Sequence, residues 1–166
     1  MLKSVYLAGP EVFYPEARQH GRRMQAVCAE QGLAGLFPLD AEIPATPQGQ
    51  SLAIYQANRA LIDRADAVVA NLRDFRGFEP DSGTVWEVSY ALARGKPVVG
   101  YCPTAATIAE RLQASPHGRL FDAQCAVENF GLPLNLMLAH SLTAIAYGSE
   151  THFAGLKAAL AQLQGI

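Results

Sequence analysis

The chain has 166 residues, of which half are hydrophobic and 17% charged, with a net charge of −2. That length suits one domain with a sizeable core. The charge balance excludes the basic footprint of a nucleic-acid binder and gives no reason to seek an anionic membrane or polyanionic partner. So apolar a chain is expected to carry a large subunit interface.

Cys28, Cys102 and Cys125 lack a paired motif, and His20, His117, His140 and His152 lack ligand spacing, so neither disulfides nor a metal or other cofactor is expected. The apolar start is too short for a leader, and no stretch approaches the ~20 residues of a membrane span. A cytoplasmic protein is the expectation.

In chain order, residues 4–8 read as a buried strand carrying Tyr6, closed by Gly9-Pro10. A loop with Glu11 and Phe13 leads into a helix over 16–31, which Gly32 ends. Residues 33–38 form a second strand, followed by Asp40 and Glu42. The irregular loop over 43–50 is long enough to suggest a lid or binding loop. A second helix over 51–65 carries Asn58, and 67–72 is an apolar, β-branched third strand.

The organising stretch comes next. Arg76-Gly77-Phe78-Glu79-Pro80-Asp81-Ser82-Gly83 is rich in turn formers and opens a helix over 84–94. In open α/β sheets the carboxyl ends of strands are where ligands bind. Asp81 and Glu87 bracket this turn, a pairing suited to acid–base or nucleophilic work. The bland alternative is a capping box, with Thr84 as cap and Glu87 reaching back to it. A fourth strand over 96–101, a helical segment over 107–113, a helix opened near Pro133 or Asn135 and an amphipathic tail over 149–163 complete the pattern. The β-α-β-α-β-α-β order predicts an α/β fold, a doubly wound, mainly parallel sheet of Rossmann-like or flavodoxin-like type with helices on both faces. No Gly-x-Gly-x-x-Gly or Walker loop follows the first strand.

With these pieces placed, the sequence resembles the nucleoside 2-deoxyribosyltransferases. The resemblance rests on Tyr6-Leu7-Ala8-Gly9-Pro10-Glu11-Val12-Phe13, Phe37-Pro38-Leu39-Asp40, Asn58 through Asn71, Phe75-Arg76-Gly77, Asp81-Ser82-Gly83-Thr84-Val85-Trp86-Glu87 and Asn135-Leu136-Met137, in family order. It implies transfer of 2-deoxyribose from a deoxynucleoside donor to a free nucleobase, purines included, through a covalent sugar–glutamate ester with retention at C1′. Glu87 would be the nucleophile, Asp81 would assist the departing base and Tyr6 would steady Glu87. Gly9, Phe13, Glu42, Asn58 and Gly83 would line the substrate site. Asn135 and Met137 would complete a neighbouring subunit's site in a homo-oligomer. Asn58 and Glu42 stand where some members carry aspartate and glutamine.

The chemistry agrees with the residues. Breaking an N-glycosidic bond builds positive charge on the sugar and negative charge on the base, and retaining glycosyl enzymes place their two carboxyls about 5 Å apart. The positive end of the helix is expected to keep Glu87 ionised, while an apolar setting beside Phe78 and Trp86 would let Asp81 hold a proton. Trp86 is expected to pack, and Arg76 to anchor its loop. One alternative is an N-glycosidase in which water resolves the ester; Glu11 would repel the phosphate of a nucleotide substrate. The other is a non-catalytic nucleoside sensor that keeps the pocket without the chemistry.

Overall fold

The computed structural model describes residues 2–41, 49–116, 126–148 and 151–166. Five parallel strands form one sheet: β1 (Ser4–Ala8), β2 (Ala34–Leu36), β3 (Ala67–Asn71), β4 (Val98–Cys102) and β5 (Ala144–Tyr147). Their spatial order is β2-β1-β3-β4-β5, the flavodoxin-like order. Six α-helices accompany them among the described residues: α1 (Ala17–Glu30), α2 (Gln50–Arg64), α3 (Ser82–Ala93), α4 (Ile108–Ala114), α5 (Leu136–Ser141) and α6 (His152–Gln164). Single 3₁₀ turns follow β1, over Pro10–Phe13, and β2, over Pro38–Asp40.

Both faces of the sheet are covered, which explains why the central strands read as continuous apolar runs rather than alternating ones. Successive residues of a strand point to opposite faces. Val5 and Leu7 of β1, with Val69 of β3, pack with Met24 and Cys28 of α1 and Leu156 and Leu160 of α6. Tyr6 and Ala8, with Val68 and Ala70, face Ile62 of α2, Val88 and Ala91 of α3 and Leu138 of α5. Each face is thus one contiguous core.

The expected doubly wound sheet is present, with two local differences. β5 lies where no strand is read from the sequence, because Ala144-Ile145-Ala146-Tyr147 is a short edge segment whose burial is intermittent. It pairs with β4 from Val99↔Ala144 to Cys102↔Tyr147. Helix α3 begins at Ser82, two residues before the expected start at Thr84. Gly95 closes it with a φ of 72°, a left-handed turn that a residue with a Cβ adopts only at a cost. No described helix is long and apolar enough to cross a membrane.

Candidate active site

The start of α3 sets the geometry. Asp81, not Thr84, is the N-cap: its Oδ2 accepts from the Thr84 backbone N–H at 2.9 Å and from Thr84 Oγ1 at 3.1 Å. This satisfies an orphan donor of the first turn. Gly83 allows it to do so, since a Cβ there would stand 3.0 Å from Asp81 Oδ2. The Thr84–Glu87 capping box, the bland alternative, is therefore not formed. With the cap made by Asp81, the Glu87 side chain is released from the helix end and turns inward toward the sheet.

There it meets β1. The hydroxyl of Tyr6, a fully buried residue, donates to Glu87 Oε1 at 2.6 Å. Asn58 Nδ2, from α2, donates to the same oxygen at 3.4 Å. Tyr6 belongs to the strand beside which the sheet order reverses, and α3 follows the strand on the other side of that reversal. This is the crevice where doubly wound sheets bind ligands. Glu87 as a whole residue is only partly buried.

Burial pushes the Glu87 carboxyl up to about 7, the Tyr6 hydrogen bond pulls it down, and the negative charge of Asp81 pushes it up again. The expectation that the helix end keeps Glu87 fully ionised at neutral pH is not met, because desolvation is the larger influence. Tyr6 is itself raised well above the ordinary phenol range, by burial and then by the adjacent carboxylate, so it remains a donor. Chemically this is a desolvated carboxylate with one oxygen clasped and an acid nearby, poised to titrate near neutrality.

The other expected site residues fall in three places. Gly9 precedes and Phe13 ends the 3₁₀ turn after β1, and a Cβ on Gly9 would collide with Glu11 Oε2 at 2.0 Å. Phe13 is 54% exposed and stacks on Phe75 with ring centroids 5.3 Å apart. The Arg76 guanidinium lies over both rings, at 5.1 Å and 4.6 Å, and Arg76 holds a left-handed φ of 55°, a strained backbone for a side chain of its size. Asn135 is the N-cap of α5, accepting from Met137 N at 3.0 Å, while its Nδ2 donates to Glu128 Oε1 at 2.6 Å. Met137 is 73% exposed. Neither Asn135 nor Met137 touches Glu87 within the chain; both border a groove with Val85 and Ser89 on the outer face of α3. Glu42 lies outside the described residues.

Trp86 differs from its expected packing role. It is 41% exposed and stacks on Tyr90 at 5.2 Å, nearly parallel, with Tyr55 tilted against it. Sequence reading also overlooked the deepest polar cluster. Glu11 is fully buried, with its Oε1 accepting from Asn71 Nδ2 at 2.5 Å and lying 3.1 Å from His152 Nδ1. The signal available was an acidic residue directly after a strand-closing Gly-Pro, together with an asparagine at the end of an otherwise apolar strand.

Residues 5–137 match the family model described as nucleoside 2-deoxyribosyltransferase. The chain superposes on a 2-desoxiribosyltransferase from Leishmania mexicana with a TM-score of 0.72 and 30% identity, covering 92% of this chain and 93% of that one. A 2-deoxyribosyltransferase from Bacillus psychrosaccharolyticus, 20% identical with a TM-score of 0.56, shares the fold over 93% of this chain and 90% of its own. An uncharacterized protein of Schizosaccharomyces pombe is 33% identical over 115 residues, 66% of this chain. The match spans 54% of that relative's length.

Proposed function

Because the chain belongs to the nucleoside 2-deoxyribosyltransferase family, we propose that it moves 2-deoxyribose between nucleobases through a deoxyribosyl ester on Glu87, with retention at C1′. The observation that carries this reading is the Glu87 carboxylate, on a residue that is only partly buried, bonded to the Tyr6 hydroxyl at 2.6 Å beside the reversal in strand order.

In the first half-reaction Glu87 stabilises the cationic character that develops at C1′ as the base departs, then bonds to that carbon. A deoxy sugar, lacking the electron-withdrawing 2′-hydroxyl, supports such a cation better than ribose does. Tyr6 and Asn58 hold the carboxylate in place, so that the reacting geometry is set before substrate arrives. Asp81, close enough for its charge to raise Glu87, serves the departing and incoming base. Asn58 Oδ1 is buried and has no partner among the described residues, an acceptor available to a base N–H. The exposed Phe13–Phe75 stack offers an aromatic face for that base. In the second half-reaction another base attacks the ester and the two steps together retain configuration. No cofactor enters this chemistry.

A homo-oligomer belongs to the same reading. Exposed Met137 and the groove beside Asn135 supply an apolar face on α5 that a second copy would cover. Asn135 would then reach the sugar bound by that copy, in a cytoplasmic enzyme of nucleoside salvage.

Incubation with deoxyinosine, with and without adenine, tests the activity. Deoxyadenosine formed only with adenine is the expected product. Free deoxyribose at the same rate in both mixtures would mean hydrolysis, and no turnover in either would leave a binding protein.

A further inference from the structure

On the sheet face opposite Glu87, the fold gathers three side chains that lie far apart in sequence. Glu11 comes from the 3₁₀ turn after β1, His20 from the second turn of α1 and His152 from the first position of α6. One donor atom from each lies within 4.8 Å of those from the other two. Six buried side-chain nitrogen and oxygen atoms among the described residues have no hydrogen-bond partner, and three belong to this cluster: Glu11 Oε2, His20 Nε2 and His152 Nε2. A buried polar atom without a partner costs about 1–3 kcal/mol, and Glu11, His20 and His152 each carry one.

We propose that Glu11, His20 and His152 bind a divalent cation of zinc type, which clasps the turn after β1 to α1 and α6.

The donor set fits. One carboxylate and two imidazoles form a familiar zinc set, leaving a fourth position for water. Bond lengths near 2.1 Å require donors roughly 3.4 Å apart, so the three side chains would draw in on the ion from their present spacing of up to 4.8 Å. Surrounding groups supply the outer contacts that orient metal ligands. Asn71 Nδ2 holds Glu11 Oε1, and the Tyr101 hydroxyl lies 3.3 Å from His152 Nδ1. A cavity of about 80 Å³ bordered by Asn71, Tyr101 and His152 provides an entry path. Arg73, which also borders it, donates to the Tyr14 hydroxyl at 3.4 Å.

A simple Glu11–His152 ion pair is the competing account. It satisfies Oε1 and Nδ1 but leaves all three orphaned atoms as they are.

Co²⁺ titration of the chelator-stripped full chain decides between them. The expected result is saturation at one equivalent per chain, with the strong visible absorption of low-coordinate Co²⁺, displaced by Zn²⁺, which also raises Tm. His20→Ala and His152→Ala should each weaken binding by at least the 10–100-fold that losing even an outer-shell partner costs. A spectrum identical to Co²⁺ in buffer overturns the site, with no need of a folded variant. Undiminished binding in both variants, folded by circular dichroism, overturns it too.

Discussion

The Tyr6 hydroxyl and Glu87 Oε1 stand 2.6 Å apart, joining the middle of β1 to the second turn of α3 across the crevice beside the reversal in strand order. Tyr6→Phe removes that donor and keeps the packing of a fully buried ring. A hydrogen bond to a charged group contributes about 1.5–3 kcal/mol, so kcat/KM for deoxyribosyl transfer should fall roughly 10- to 100-fold. The Tyr6 bond lowers the Glu87 pKa, and its loss raises it further. The acidic limb of the pH–rate profile should therefore move to higher pH. A uniform fall at every pH would mean that Tyr6 acts by another route.

Glu87→Ala should reduce transfer by at least about 10³-fold, the scale of losing a nucleophile. Circular dichroism and cooperative melting should be unchanged. Trapping the wild-type protein with a fluorinated deoxynucleoside and mapping the labelled peptide should place the sugar on residue 87.

Wild-type activity should rise with pH through about 7, because attack requires ionised Glu87 and burial holds its carboxyl there. Stability runs the other way. A carboxyl raised in the folded state contributes stability that is fully present below its unfolded value near 4.5 and is lost as pH rises through about 7. Glu87→Gln mimics the protonated form. It should melt at a higher temperature than wild type at pH 8 and show a smaller difference at pH 5. The effect is bounded at about 3 kcal/mol, reduced by screening at the solvent-facing edge.

Asp81→Asn keeps a side-chain oxygen for the Thr84 N–H, whereas Asp81→Ala loses the cap at a cost of about 1 kcal/mol. Only the alanine variant should lower Tm appreciably. Both should shift the acidic limb to lower pH, since the charge that raises Glu87 is gone, and both should slow departure of the base. A limb that stays in place would separate Asp81 from Glu87 electrostatically.

Asn135→Ala and Glu87→Ala proteins, each inactive or nearly so, should regain transfer when unfolded and refolded together, if Asn135 serves the site of a second copy. The mixture would then contain sites with an intact Glu87 from one chain and an intact Asn135 from the other. Activity no greater than the sum of the two would confine Asn135 to its cap on α5.

Sequence reading reached the sheet because its signals are local. Apolar runs over β1, β3 and β4 and glycines after α1 and α3 report directly on strands and helix ends. It brought Tyr6, Asn58 and Glu87 into one list through resemblance to a family, while the bond between them depends on packing across three elements. The same locality explains the misses. Thr84-Val85-Trp86-Glu87 satisfies the letters of a capping box, yet Asp81 competes for the Thr84 N–H and wins by geometry. Glu11, His20 and His152 have no ligand spacing because the chain closes 132 residues between the last two. β5 is too short and too unevenly buried to declare itself.

Both donors that reach Glu87 among the described residues grip the same oxygen, Oε1. In the proposed reaction Oε2, the oxygen that takes neither bond, would be the one to meet the incoming carbon. An ester made at Oε2 would leave Oε1 as its carbonyl, still receiving both bonds, so the side chain need not turn over between one base leaving and the next arriving. Departure and arrival would then share a single trajectory, and whichever base has just been released would compete with its replacement for the same door.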